Sequence, residues 1–116
     1  MPTHPLPPAR RLRRRGEFQR VFDAGRRAHG RYLTIVFFSR EGSESRLGIV
    51  ASRKLGGAVV RNRAKRLIRE AFRTSSDPAI PGDLVIIPKA AATKVKAPDL
   101  AGDYLSTLRR MGLSKQ

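Results

Sequence analysis

Residues 58–73, AVVRNRAKRLIREAFR, constrain this chain more than any other segment. At about 100° per residue, Val60, Ala64, Leu67, Ile68, Ala71 and Phe72 fall on one face of a helix. Arg61, Lys65, Arg66, Arg69 and Arg73, joined by Asn62, fall on the opposite side. The apolar stripe has to be covered by other elements. The basic stripe, with Arg63, is opposed only by Glu70. Arg61, Lys65 and Arg69 are like charges four apart, and each such pair costs an isolated helix a few tenths of a kcal/mol. A solvated face ordinarily mixes signs. This one makes sense beneath a phosphate backbone, and Arg suits bidentate phosphate contacts.

The whole chain leans the same way. Its 116 residues carry 25 Lys and Arg against 9 Asp and Glu, a net charge of +16. Self-repulsion on that scale opposes compaction, so the natural state is expected to include a polyanion. A hydrophobic fraction of 40% still suffices for one modest core, which excludes a wholly disordered basic chain. The absence of Cys excludes disulfide scaffolds, Cys-type zinc sites and thiol catalysis, and suits a reducing cytoplasm. No apolar stretch is long enough to span a bilayer, and none follows the early basic residues as in a signal peptide. An anionic membrane surface would call for a basic helix with large aromatics. With no Trp and seven aromatics spread over several segments, nucleic acid is the better match.

Residues 1–15 hold four prolines and then five Arg around Leu12; they read as a tail disordered alone. Glu17 to Gly25 reads as a short helix with Phe18 and Phe22 on one face and Gly25 as its C-cap. Arg31 to Phe38 is rich in β-branched and aromatic residues and reads as a strand. A hairpin-type loop at 41–45 leads to a second strand, Arg46 to Arg53, antiparallel to the first. After Gly56-Gly57 comes the basic helix, then a Pro-rich loop from Thr74 to Gly82. Asp83 to Pro88 is a continuous apolar run, expected as a buried central strand. Residues 89–98 form a connector, and a final helix from Asp99 carries Leu100, Tyr104, Leu105, Leu108 and Met111 inward. The order α-β-β-α-β-α describes a single α+β sandwich over 16–112, with 1–15 and 113–116 as tails.

Nothing in the chain suggests that it supplies reactive groups. His4 lies in the Pro-rich tail and His29 in a basic loop, both read as exposed bystanders. The carboxylates are scattered singly, and no P-loop or dinucleotide glycine pattern occurs. No catalytic or metal-ligating residue is expected. A helix-turn-helix DNA reader fits poorly, because the basic helix is flanked by strands.

Val59-Val60-Arg61-Asn62-Arg63-Ala64-Lys65-Arg66-Leu67-Ile68-Arg69-Glu70-Ala71-Phe72-Arg73 resembles the RNR signature of the bacterial ribonuclease P protein family. Arg14 to Phe22, Arg46 to Lys54 and Pro81 to Lys89 resemble, in order, the family's first helix, the strand before the signature and the third strand. The likeness covers roughly residues 12–110. Arg53 stands where Lys is usual, Gly57 where Asn is common, and Val36 where some members place an aromatic.

The resemblance implies the protein subunit of an endoribonuclease that removes the 5′ leader of precursor tRNA. The RNA subunit would be catalytic and hold Mg²⁺, with one protein per RNA, in the cytoplasm. It implies a left-handed βαβ crossover. Arg61, Asn62 and Arg63 would contact the catalytic RNA, with Arg66 and Arg69 continuing the face that Lys65 and Arg73 share. A leader cleft would lie between first helix and sheet, with Phe18, Phe22, Ser52, Arg53, Lys54 and Lys89 around it. A single strand is gripped by aromatic faces and cations; at least one of Phe18 and Phe22 is therefore expected to be partly exposed. Periodicity leaves open which face of the first strand lines the cleft; the Tyr32, Thr34, Val36, Phe38 set is the more polar and is taken here. The alternative is a non-catalytic RNA-binding module of the ribosomal type, which the RNR segment and its preceding strand argue against.

Overall fold

Four strands make one mixed sheet: β1 (Arg26–His29), β2 (Leu33–Ser39), β3 (Arg46–Ile49) and β4 (Gly82–Pro88), in the order β1-β2-β4-β3. Three helices cover it: α1 (Arg15–Ala24), α2 (Ala58–Thr74) and α3 (Ala97–Arg110). The computed structural model describes residues 7–42, 44–74 and 81–114. The expected α+β sandwich is present with one strand more than expected, since β1 occupies what reads as a loop.

β4 is central, as its unbroken apolar run requires. It runs antiparallel to β2, with Val36 opposite Val85, and parallel to β3, with Gly48 also opposite Val85. The expected β2–β3 hairpin is therefore absent. The two strands do run in opposite directions, but β4 lies between them. β3 ends at Ile49 rather than Arg53; Arg53–Leu55 form a 3₁₀ turn capped by Ser52 Oγ, which accepts from the Lys54 N–H at 3.1 Å. β3, α2 and β4 form the parallel crossover unit whose left hand the resemblance implies.

Alternation along the strands separates two apolar layers. Leu33, Ile35, Phe37, Leu47, Leu84 and Ile86 pack under α2 and α3 with Leu67, Ile68, Phe72, Leu100, Tyr104 and Leu108. Each such side chain fully removed from water contributes about 1.5–3 kcal/mol, and this layer is the main core. On the other face Val36 and Val85 pack with Val21 of α1 and Leu12. α1 covers only part of that face, leaving Phe18, Phe22, Phe38, Val50 and Ile87 partly exposed.

Other boundaries shift for physical reasons. Residues 7–14 are docked on the domain rather than free. Arg11 bridges to Leu47, the Leu12 N–H donates to the Leu47 carbonyl at 2.9 Å, and the Leu12 side chain is buried. The rest of the expected tail, 1–6, lies outside the described residues, as do most of the Pro-rich loop and residues 115–116. Leu113, placed in a tail by sequence, is wholly buried in the main core. Leu105 faces outward, and Thr107 takes a buried place on α3 instead. Gly25 ends α1 in extended rather than left-handed conformation; a side chain there would strike the Val21 carbonyl.

Candidate nucleic-acid interface

α1 crosses the strands of the half-open face. Glu17 and Phe18 reach β3, Val21 sits over Val36 and Val85, and Phe22 reaches β1, where the Arg27 guanidinium lies 5.9 Å from its ring centroid. Phe18 seats on Gly48. A Cβ at that position would lie 2.5 and 2.7 Å from two ring carbons, so only glycine leaves room for the ring.

An ionic cluster clamps the start of α1. Asp83, 1% exposed, accepts from Arg40 Nε at 2.9 Å and from Arg46 Nε and Nη2 at 2.8 Å each. Arg46 Nη1 also donates to Glu17 Oε2 at 2.8 Å, while Glu17 Oε1 accepts the backbone N–H groups of Arg13 and Arg14. Those backbone bonds from Arg14 and Arg13, aided by Arg46, hold the Glu17 carboxyl down at about 2. Burial pushes Asp83 up, but the hydrogen bonds and charges of Arg46 and Arg40 outweigh it and keep its pKa below the ordinary value. Both carboxylates are thus ionised at neutral pH, and α1 is fixed at one angle to the sheet.

Beside α1 a strip of the same face stays open. Register aligns His29 with Thr34, Thr34 with Ile87, and Ile49 with Ile86, which brings Val50 alongside Ile87. The strip crosses all four strands next to Phe18 and Phe22, both partly exposed as expected. At its β3 end stand Ser52, Arg53 and Lys54, all exposed on the capped turn. Lys89 lies towards the other end, its Nζ donating to the Gly30 carbonyl at 2.6 Å. Tyr32 does not join this group. It precedes β2, its N–H donates to Asp103 of α3 at 2.8 Å, and its side chain packs against the main core. Val36 and Phe38 do belong to the α1 side.

The residues of the basic face of α2 are placed differently from one another. Asn62, Arg66, Arg69 and Arg73 are exposed. Lys65 and Arg69 border a cavity of about 240 Å³ with Arg11, Phe18 and Gly48, so the basic helix reaches the cleft past the outer edge of β3, where residues 11–12 are docked. Arg63 turns inward: Nη2 donates to the Val95 carbonyl at 2.9 Å and Nη1 to that of Thr93 at 3.4 Å. It ties α2 to the Ala90–Lys94 turn instead of presenting its charge outward. Arg61 is half-buried, with Nε enclosed and unpartnered among the described residues.

The residues that sequence alone misses are Gly48, the Arg40–Asp83–Arg46–Glu17 cluster and β1. For β1 the one available signal is a short stretch bounded by Gly25 and Gly30. His29 is no loop bystander, since its Nδ1 is hydrogen-bonded to Thr34 Oγ1 at 2.9 Å. Among the described residues no three His, Asp or Glu gather where they could hold a metal ion, and no helix could cross a membrane.

The fold and site define an α+β protein with a half-covered sheet, two aromatics on it, cations at its rim and an adjoining basic helix. Comparison with known proteins narrows this. The family described as Ribonuclease P matches residues 6–112. The Ribonuclease P protein component of Desulfovibrio desulfuricans is 38% identical over 111 residues, covering 91% of this chain and 85% of that protein. That of Desulfatibacillum aliphaticivorans is 39% identical over 92 residues, 78% of each. The RNase P protein of Staphylococcus aureus superposes with a TM-score of 0.81 at 28% identity, covering 90% of this chain and 96% of the other. That of Thermotoga maritima gives 0.76 at 32% identity, with 86% and 96% covered. The chain belongs to the ribonuclease P protein family, and so is a protein component of ribonuclease P that associates with that enzyme's RNA subunit.

Proposed function

We propose that this protein binds the 5′ leader of precursor tRNA in the strip beside α1 while its basic helix docks on the catalytic RNA. The holoenzyme then hydrolyses the phosphodiester that joins leader to tRNA. Supporting this is the arrangement of Phe18 and Phe22 along an open sheet face that ends in cations on the Ser52–Lys54 turn, which packs against α2. Rings and cations without base-edge readers suit a strand of variable sequence. Arg61, Asn62, Lys65, Arg66, Arg69 and Arg73 contact the RNA subunit in this reading, whereas Arg63 braces the helix that carries them. The described residues offer no cluster of carboxylates fit to hold Mg²⁺. The ion belongs with the RNA subunit and substrate, one protein serves each RNA, and cleavage occurs in the cytoplasm. The test is reconstitution with the cognate RNA at low Mg²⁺. Protein should promote cleavage of precursor tRNA, and protein freed of all RNA should leave it intact. Cleavage by RNA-free protein would overturn the division of labour.

A further inference from the structure

We infer that β1 is the far grip on the leader, with Arg27 and His29 holding nucleotides more distant from the tRNA than those at Ser52–Lys54. This rests on the leader-binding reading above and adds the direction of the strand and its outer contacts.

Arg27 and His29 share the half-open face, because each lies opposite a β2 residue of that face: Arg27 opposite Val36, His29 opposite Thr34. Both side chains are exposed. Their places are set by neighbours on the strip. Arg27 stacks its guanidinium near the Phe22 ring, and the His29 ring is fixed through Nδ1 to Thr34, which leaves Nε2 for a ligand. Lys89 stands beside them through its bond to the Gly30 carbonyl. β1 itself, Arg-Arg-Ala-His, carries no carboxylate. An aromatic ring backed by cations at the end of an open apolar strip is complementary to a single strand whose phosphates run over its edge.

Geometry orders the contacts. The strip crosses four strands spaced about 4.8 Å apart, so its ends are about 14 Å apart. That equals the reach of about four stacked nucleotides at roughly 3.4 Å each. The β3 end adjoins the basic helix that docks on the catalytic RNA, so the leader enters there and leaves over β1.

A truncation series of precursor tRNA leaders, shortened one nucleotide at a time, tests this with the reconstituted holoenzyme. Affinities are measured for wild type, Lys54→Ala, Arg27→Ala and Arg27→Glu, and for His29→Ala where its melting temperature is kept. Lys54→Ala should weaken binding from short leaders onward. Arg27→Ala should do so only for leaders about four nucleotides longer. The loss should be about two- to fivefold, the scale of one exposed ionic contact, and larger for Arg27→Glu. An Arg27 effect at the same leader length as that of Lys54, or at no length, would overturn the β1 assignment while leaving the cleft standing. If wild type gained no affinity from any leader, and Phe22→Ala changed nothing, the leader-binding reading itself would fall and take this inference with it.

Discussion

Replacing Gly48 by Ala tests how tightly α1 is seated. The added methyl would lie 2.5 and 2.7 Å from Phe18 Cε1 and Cζ and 3.1 Å from Leu12 Cβ. The ring has little room to retreat, because Val21, three residues on along α1, is wholly buried and Glu17 is bonded to Arg46 of the same strand as Gly48. Overpacking costs about 1–3 kcal/mol, and two contacts this short on a clamped helix belong at the upper end. Ala is favoured over Gly in a strand by roughly 0.5–1 kcal/mol, which offsets part of the cost. The net loss is about 2 kcal/mol. At about 2.1 cal/mol/K per residue over 116 residues, each kcal/mol is worth about 4 °C, so Tm should fall by about 8 °C. Thermal unfolding by circular dichroism measures this. Adding Phe18→Leu removes the ring carbons that clash, so the double variant should be more stable than the two single losses combined would give, by about 1 kcal/mol. A Gly48→Ala protein as stable as wild type, or strict additivity, would refute the seating of Phe18 on Gly48.

Phe22→Ala should weaken precursor tRNA binding about five- to a hundredfold relative to mature tRNA, since base stacking is worth about 1–3 kcal/mol. Equal losses for both tRNAs, with about 3–5 kcal/mol of folding stability gone, would make Phe22 core instead. Arg66→Ala should leave Tm unchanged and lower the log–log salt slope of RNA binding by roughly 0.7–0.9. Arg63→Ala should instead lower Tm, because the Thr93 and Val95 carbonyls lose their donor; melts of both variants beside salt titrations decide. Glu17, held at about 2, contributes stability that is complete above its ordinary 4.5 and lost as pH falls from there towards 2. Melting temperatures across that range should therefore fall less steeply for Glu17→Gln than for wild type. Some slope should remain, because Asp83 is depressed in the same sense.

Local patterns carry most of the fold. The 3.6-residue stripe of α2 places Ala64, Leu67, Ile68, Ala71 and Phe72, all of them buried. The i,i+4 pair of Phe18 and Phe22 marks the helix beside the cleft. What local patterns miss are features set by partners distant in sequence. Arg63 belongs to the basic pattern, yet its guanidinium is taken by carbonyls thirty residues on, which no helical wheel can show. Lys65 and Arg69 face the cleft edge because β3 and the docked 7–14 segment lie beside α2. Leu12 reads as an interruption in an Arg run, but in the fold it fills space against Val21 and Val85.

Strand pairing is the instructive case. Two strands joined by a short polar loop suggest a hairpin, because loop closure favours near neighbours. The unbroken apolar run Leu84-Val85-Ile86-Ile87 makes the opposite demand, since a strand shielded on both faces and paired at both edges belongs in the middle. A sheet in which β4 is central and only β2 and β3 are available as its neighbours has no place for a β2–β3 hairpin. The two expectations are therefore incompatible with each other on the sequence alone. Burial prevails because more free energy rides on it: Leu84, Val85 and Ile86 are each wholly buried, at about 1.5–3 kcal/mol per side chain. Lengthening the closed loop costs only about 0.6 kcal/mol for each doubling. By pairing with both β2 and β3, β4 also sets the span between the Phe18 and Phe22 ends of the strip. The same apolar run that defeats the hairpin thus fixes the width of the half-open face.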